Sequence, residues 1–308
     1  MMRKSLMFIT MAALLTTACG HRTSQGAADN DSTLVDSLAA NAAQPLYIDS
    51  VGMEREDSVI SVKISLDWPV SGNEGLVSSV RQYLCEELAA GLTMEGRPVV
   101  KNYTDGKTAV ETTVRQQYDT LMASYKESAS ESSALEGMQL SYHLRCFKME
   151  ETDTYVTFLS NSECFLGGAH GSATSMGMTF RKSDGKRIGY RTEFNRQTLR
   201  MEIKNQTLFS NPSSPQLAAL IKEGVRSYFQ QFGEGKLTDQ ALQEELTVNS
   251  VDSIPLPSTP PYFTKQGLCF VYQQYDIAPY AAGMVNFDIP YDKVRHLLTT
   301  DAQSLIKQ

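Results

Sequence analysis

The sequence predicts an α+β fold: antiparallel sheets packed against helices, arranged as two consecutive α/β modules. Three observations predict it. Apolar residues Leu76, Val80, Leu84 and Leu88 recur every four positions, which is helical spacing, whereas Met138, Leu140, Tyr142, Leu144 and Cys146 alternate with polar residues, which is strand spacing. A second helical stripe, Leu217, Leu220, Ile221, Val225, Tyr228 and Phe229, opens at Pro215 after Ser213-Ser214. Strand-like runs flank both helical regions, and no internal repeat is visible.

The chain has 308 residues. It opens with Arg3-Lys4, an apolar run from Leu6 to Leu15, and Thr16-Thr17-Ala18-Cys19. A basic segment, a short apolar segment and small residues make residues 1–18 a signal peptide. The run is shorter than the roughly 20 residues that span a bilayer. A cysteine directly after the small residues resembles the lipoprotein signal, and that resemblance implies lipidation of Cys19. The chain departs from the usual pattern in having Thr16, not leucine, three positions before the cysteine. Residues 19–45, rich in Ala, Ser, Thr, Asp, Asn and Gln with no apolar period, read as a lipidated flexible tether. The expected domains are residues 46–164 and 165–308.

In the first domain, Tyr47 to Trp68 reads as one or two strands stopped by Pro69. Ser71-x-x-Glu74 reads as a capping box for the first helix, with Gly91 as its C-cap. A second helix is predicted from Lys107 to Lys126, with Glu127 to Glu136 a loop or frayed end. The alternating strand from Met138 then pairs with Thr154 to Leu159. In the second domain, Gly167-Gly168-Ala169-His170-Gly171 breaks the pattern. Ser175–Phe180 and Arg187–Tyr190 form a hairpin around Ser183-Asp184-Gly185-Lys186. The helix of Pro215–Phe232, a Pro/Ser-rich loop at 249–261, strands at Gly267–Tyr272 and Gly283–Ile289, and a short helix from Pro290 to Leu298 complete the order.

The formal net charge is −7, and loss of Arg3 and Lys4 with the signal peptide takes it to −9. An acidic chain argues against nucleic acid as a partner and suits a cationic protein. Cys85, Cys146, Cys164 and Cys269 would remain after cleavage, together with Cys19. A hairpin turning near Glu151 puts Cys146 opposite a residue near 157, so it is out of register with Cys164. Free buried thiols and disulfides both stay open.

No complete catalytic or metal set is present: no HxH, HExxH, paired-cysteine spacing, GxSxG elbow or P-loop. No cofactor is expected. The candidate ligand-binding residues are Gly167, Gly168 and His170, where glycine permits close approach, and Tyr275, Asp276, Tyr280 and Gly283, in the densest tyrosine region. The bland alternatives are a structural turn at His170, core tyrosines, and Asp276 as a turn cap. The acidic pairs Glu86-Glu87, Glu150-Glu151 and Glu244-Glu245 read as solvated surface.

Two motifs carry a family resemblance. The first is Phe165-Leu166-Gly167-Gly168-Ala169-His170, followed by the Asp184-Gly185-Lys186 turn and Glu193-Phe194. The second is Gly267-Leu268-x-Phe270-x-Tyr272-x-x-Tyr275-x-Ile277-Ala278-Pro279-Tyr280-Ala281-x-Gly283, with Ile289-Pro290-Tyr291 beyond it. In this order they resemble the C-terminal domain of the RsiV-like family, and residues 46–163 are more weakly similar to the domain that precedes it there. The resemblance implies an extracytoplasmic module. In that family the module serves as the lysozyme-binding region of an anti-sigma factor and as the accessory module of a peptidoglycan deacetylase. This chain shows no sigma-binding segment and none of the Asp/His metal motifs of such a deacetylase.

The expectation is therefore a non-catalytic cell-envelope lipoprotein. Its lipid would hold it at the outer membrane on the periplasmic side, and it would bind a lysozyme-like protein or a peptidoglycan-related ligand. The alternatives are a cell-wall glycan hydrolase or deacetylase-associated enzyme using His170, and a structural envelope-assembly lipoprotein.

Overall fold

The computed structural model of the protein describes residues 44–91, 99–131, 135, 137–197, 200–233 and 235–307. The predicted signal peptide, Cys19 and nearly all of the tether lie outside the described residues.

A six-stranded sheet forms the centre. Its strands are β1 (Tyr47–Glu56), β2 (Ile60–Ser71), β3 (Leu140–Glu151), β4 (Tyr155–Phe165), β5 (Ser172–Arg181) and β6 (Arg187–Ile188), hydrogen-bonded in that order. All neighbours are antiparallel except β2 and β3, which run parallel because two helices intervene. These are α1 (Glu74–Ala90) and α2 (Gly106–Glu131). The α+β class with predominantly antiparallel sheet is thus as the sequence predicts.

Several boundaries differ for local reasons. Pro69 does not stop β2, which continues to Ser71. Pairing of β2 with β3 ends at Leu66, so beyond it only β1 faces the strand, and a missing N–H is tolerated there. The cap of α1 is Asn73, whose side chain accepts from the Leu76 N–H at 3.1 Å, not Ser71. Gly91 is its C-cap, as the sequence suggests. Helix α2 runs on to Glu131, and residues 132–134 and 136 of the predicted loop lie outside the described residues.

The remaining elements are the hairpin β7 (Arg191–Asn195) and β8 (Arg200–Lys204), helices α3 (Pro215–Gln230) and α4 (Asp239–Glu245), and a small sheet of β9 (Tyr262–Phe263), β10 (Leu268–Val271) and β11 (Asn286–Ile289). Short helices α5 (Tyr291–Val294) and α6 (Thr300–Gln303) close the chain.

Strand alternation explains how one sheet serves two cores. Val156 and Phe158 on β4 and Phe180 on β5 point to one face and pack with Leu76, Val80, Leu84, Val110 and Val114 of α1 and α2. Tyr155 points to the other face and joins the core built by α3 and β9–β11, around Phe263, Phe270 and Phe287. On that second face Thr157 donates to the Phe263 carbonyl at 2.8 Å, and the Phe263 N–H donates to the Thr179 hydroxyl at 3.0 Å. Gly177 completes the junction, because a Cβ there would sit 2.0 Å from the Tyr262 ring. The expected domain boundary at 164/165 falls between β4 and β5, which are paired, so the sheet continues across it.

All four described cysteines are free. Cys146 lies opposite Ser160 and Cys164 opposite Tyr142, because the hairpin turns at Asp153-Thr154, later than the predicted turn near Glu151, which moves the partner of Cys146 from near 157. Two acidic pairs expected to be solvated are not. Glu86 pairs with Arg187 at 2.5 Å, and Glu87 turns inward to accept from the Ser160 hydroxyl at 2.6 Å. Glu150 accepts from the Lys265 N–H, and Glu151 binds two lysines, one of them, Lys182, buried. Only Glu244-Glu245 is exposed as predicted. No helix among the described residues is long and apolar enough to cross a membrane.

Candidate functional site

The two sequence-distant candidate segments meet at one corner of the sheet. Residues 166–171 connect β4 to β5, and residues 272–285 connect β10 to β11. Gly167 and Gly168 take φ values of +90° and +109°, which L side chains rarely adopt, and so turn the chain back toward β5. Gly167 also lies against Leu135, where a Cβ would come within 2.6 Å of the side chain. These glycines shape the turn that presents His170.

The opposing loop is tied to the free edge of β5 by two side chains. The Ser175 N–H donates to the Gln273 side-chain oxygen at 3.0 Å, and Gln273 Nε2 donates back to the Ser175 carbonyl at 2.8 Å. The Ala173 N–H donates to Gln274 Oε1 at 3.1 Å. The two glutamines thus satisfy edge groups that a further strand would otherwise take. They follow no sequence spacing, and nothing in the sequence singles them out.

On this scaffold His170 stacks on Tyr280, with ring centroids 4.0 Å apart and planes at 26°. Tyr275 completes the cluster at 5.8 Å from Tyr280, its hydroxyl 3.3 Å from His170 Nε2. Nδ1 of His170 lies 2.8 Å from the Gly171 carbonyl, which can only accept. The neutral imidazole therefore carries its proton on Nδ1, leaving Nε2 to accept from the Tyr275 O–H. The Tyr280 hydroxyl donates to the same carbonyl at 3.0 Å. His170 and Tyr275 are exposed, Tyr275 at 61%.

Tyr275 sits at φ +69°, one of two non-glycine residues in the left-handed region among the described residues. Such a conformation costs about 1–3 kcal/mol and concentrates at functional positions. Asp276 holds the turn: its Oδ2 accepts from the Ser258 hydroxyl at 2.8 Å and the Gln273 N–H at 3.0 Å. Gly283, at φ +70°, ends the short 3-10 helix Tyr280–Ala282. The other tyrosines of the dense region are structural. Tyr262 and Tyr272 are buried, Tyr272 donating to the Pro255 carbonyl, while Tyr291, partly exposed, donates to the Thr264 carbonyl.

Elsewhere, His143 lies on the polar sheet face with Nε2 3.2 Å from the Ser61 hydroxyl, and His296 lies 3.3 Å from Gln216. Among the described residues no three His, Cys, Asp or Glu side chains are grouped to hold a metal ion.

Fold and site together define an α+β protein with two cores on one sheet and an exposed, backbone-anchored ring cluster at the sheet corner. Residues 197–292 match DUF3298, a family described as a protein of unknown function, so this segment is a DUF3298 domain. It includes the second resemblance motif and begins beyond the first. The fold is similar to that of a DUF3298-family member from Bacteroides fragilis, with a TM-score of 0.59, 19% identity, and coverage of 85% of this chain and 97% of that one. It is similar as well to a DUF3298-family protein from Pseudomonas aeruginosa PAO1, with a TM-score of 0.51, 15% identity, and coverage of 85% and 98%. At these identities the likeness concerns the fold alone. No curated protein matches the chain.

Proposed function

We propose that this chain is a non-catalytic cell-envelope lipoprotein, anchored through Cys19 at the outer membrane on the periplasmic side, that binds a peptidoglycan-derived glycan on its ring cluster. The observation that carries this reading is the convergence of His170, Tyr275 and Tyr280 from loops about a hundred residues apart. Sugar rings offer C–H faces that stack on aromatic faces, and their hydroxyls can donate to the Tyr275 and Tyr280 oxygens, whose own O–H groups are already placed. The backbone bonds to Gly171 and the glutamine ties to β5 fix the rings beforehand, which lowers the ordering cost of binding. Asp276, the acidic residue beside the rings in sequence, is committed to its turn, which favours binding over hydrolysis.

A second reading, a cationic lysozyme-like protein as ligand, is favoured by the mature charge of −9 and the RsiV-like resemblance. Calorimetric titration of the purified protein with a peptidoglycan tetrasaccharide and, separately, with lysozyme distinguishes them. The first reading expects saturable glycan binding that Tyr275→Ala abolishes. Absence of glycan binding, with salt-sensitive lysozyme binding that survives Tyr275→Ala, would replace it by the second. Release of soluble fragments from purified peptidoglycan, lost in His170→Ala, would overturn the non-catalytic character.

A further inference from the structure

A separate cleft of about 390 Å³ lies against Pro279, Ala281 and Ala282, the neighbours of Tyr280 in sequence. One wall is the end of α3 and the residues after it. Tyr228 meets Phe229 at 5.3 Å and 86°, and Phe232 at 5.3 Å and 70°. Phe232 is 71% exposed, a large apolar ring left open to solvent. The other wall is small and apolar, formed by Pro279 and Ala281, and it is pinned to α3 where the Tyr228 hydroxyl donates to the Ala282 carbonyl at 2.7 Å.

The electrostatics of the cleft are one-sided. Glu245, exposed at the end of α4, is the one charged residue lining it, and among the described residues its carboxylate neither forms an ion pair nor accepts a hydrogen bond. The last turn of α3 carries no basic side chain, so no cation of its own helix offsets the negative end of the dipole there. Arg226, the nearest arginine on α3, is committed to Asp239, Glu223 and the Leu237 carbonyl. Ring faces, a free carboxylate and a helix C-terminus all favour positive charge. The volume is that of a small-molecule site.

We infer that this cleft binds a small organic ammonium ion, its apolar part against Phe232 and Tyr228 and its charge toward Glu245. The inference stands independently of the glycan reading. It is tested by NMR titration of the full chain with benzylammonium, and with benzyl alcohol and benzoate as neutral and anionic counterparts of the same shape. Benzylammonium is expected to saturate and to bind about tenfold more tightly than either counterpart, the factor expected of roughly 1.4 kcal/mol of charge recognition. Glu245→Gln should remove that preference, and Phe232→Ala should weaken all binding. Both residues are exposed, so the variants are expected to fold, which circular dichroism checks. Equal affinity for the cation and the alcohol, an unchanged preference in Glu245→Gln, or no saturation by benzylammonium would each overturn the assignment.

Discussion

Glu151→Gln is predicted to be among the most destabilising isosteric changes in the chain. Its carboxylate joins three segments. Oε1 accepts from the Leu46 N–H at 2.9 Å and from Lys182 Nζ at 2.8 Å, and Oε2 from Lys148 Nζ at 2.8 Å. The Lys182 side chain is only 4% exposed, so no water replaces the lost charge, and the variant leaves a buried ammonium without a counter-ion. Breaking a buried pair in this way costs about 3–5 kcal/mol. Glu151 itself retains some exposure, which places the cost near the lower end, about 3 kcal/mol. For a chain of this size that is a drop in Tm of about 6–12 °C, read by calorimetry or urea unfolding at pH 7. Burial pushes the Glu151 carboxyl up, but the Lys148 and Lys182 bonds and the Leu46 N–H outweigh it and hold the carboxyl below its ordinary value of 4.5. A depressed carboxyl contributes stability above its unfolded value and loses it as pH falls through the folded value. The gap between wild type and variant should therefore narrow below about pH 4.5. A cost under about 1 kcal/mol at pH 7, the scale of a surface pair, would refute the reasoning.

Glu87→Gln should show the opposite pH dependence. Burial, partly offset by the Ser160 hydroxyl, raises this carboxyl, so its ionisation opposes folding as pH rises. The variant should gain stability relative to wild type as pH rises above about 4.5 in urea melts, and a constant difference would contradict the assigned cause. Gly177→Ala drives a methyl into the Tyr262 ring and is expected to cost about 1–3 kcal/mol by loosening the second core from the sheet, which thermal unfolding measures. Tyr275→Gly removes the left-handed strain, so its stability should stay within about 1 kcal/mol of wild type while glycan binding is lost. Equal loss of stability and binding would make Tyr275 a packing residue.

Legibility from the sequence followed the period of the pattern. Leu76 to Leu88 and the stripe after Pro215 each mark a helix because one face is buried, and Leu140 to Cys146 marks a strand for the same reason. The hairpin of β7 and β8 and helix α4 went unpredicted, since neither carries a long apolar stripe. The parallel pairing of β2 with β3 depends on contacts across two helices, which no local signal reports. Glu87 and Glu151 read as surface because adjacent acidic pairs usually are. Their burial depends on Ser160, Lys148 and Lys182, which the fold brings to them. Within the candidate site, His170, Tyr275 and Tyr280 are legible as residue types in unusual settings, but the loop that carries the tyrosines is tied to β5 by Gln273 and Gln274, which no motif marks.

The most direct test of the central claim is aromatic-resolved NMR of the full chain during titration with a peptidoglycan tetrasaccharide. Saturable shifts are expected in the ring signals of His170, Tyr275 and Tyr280, with buried Phe270 and Phe263 unmoved. Shifts confined to other surfaces, or none at saturating glycan, would contradict it.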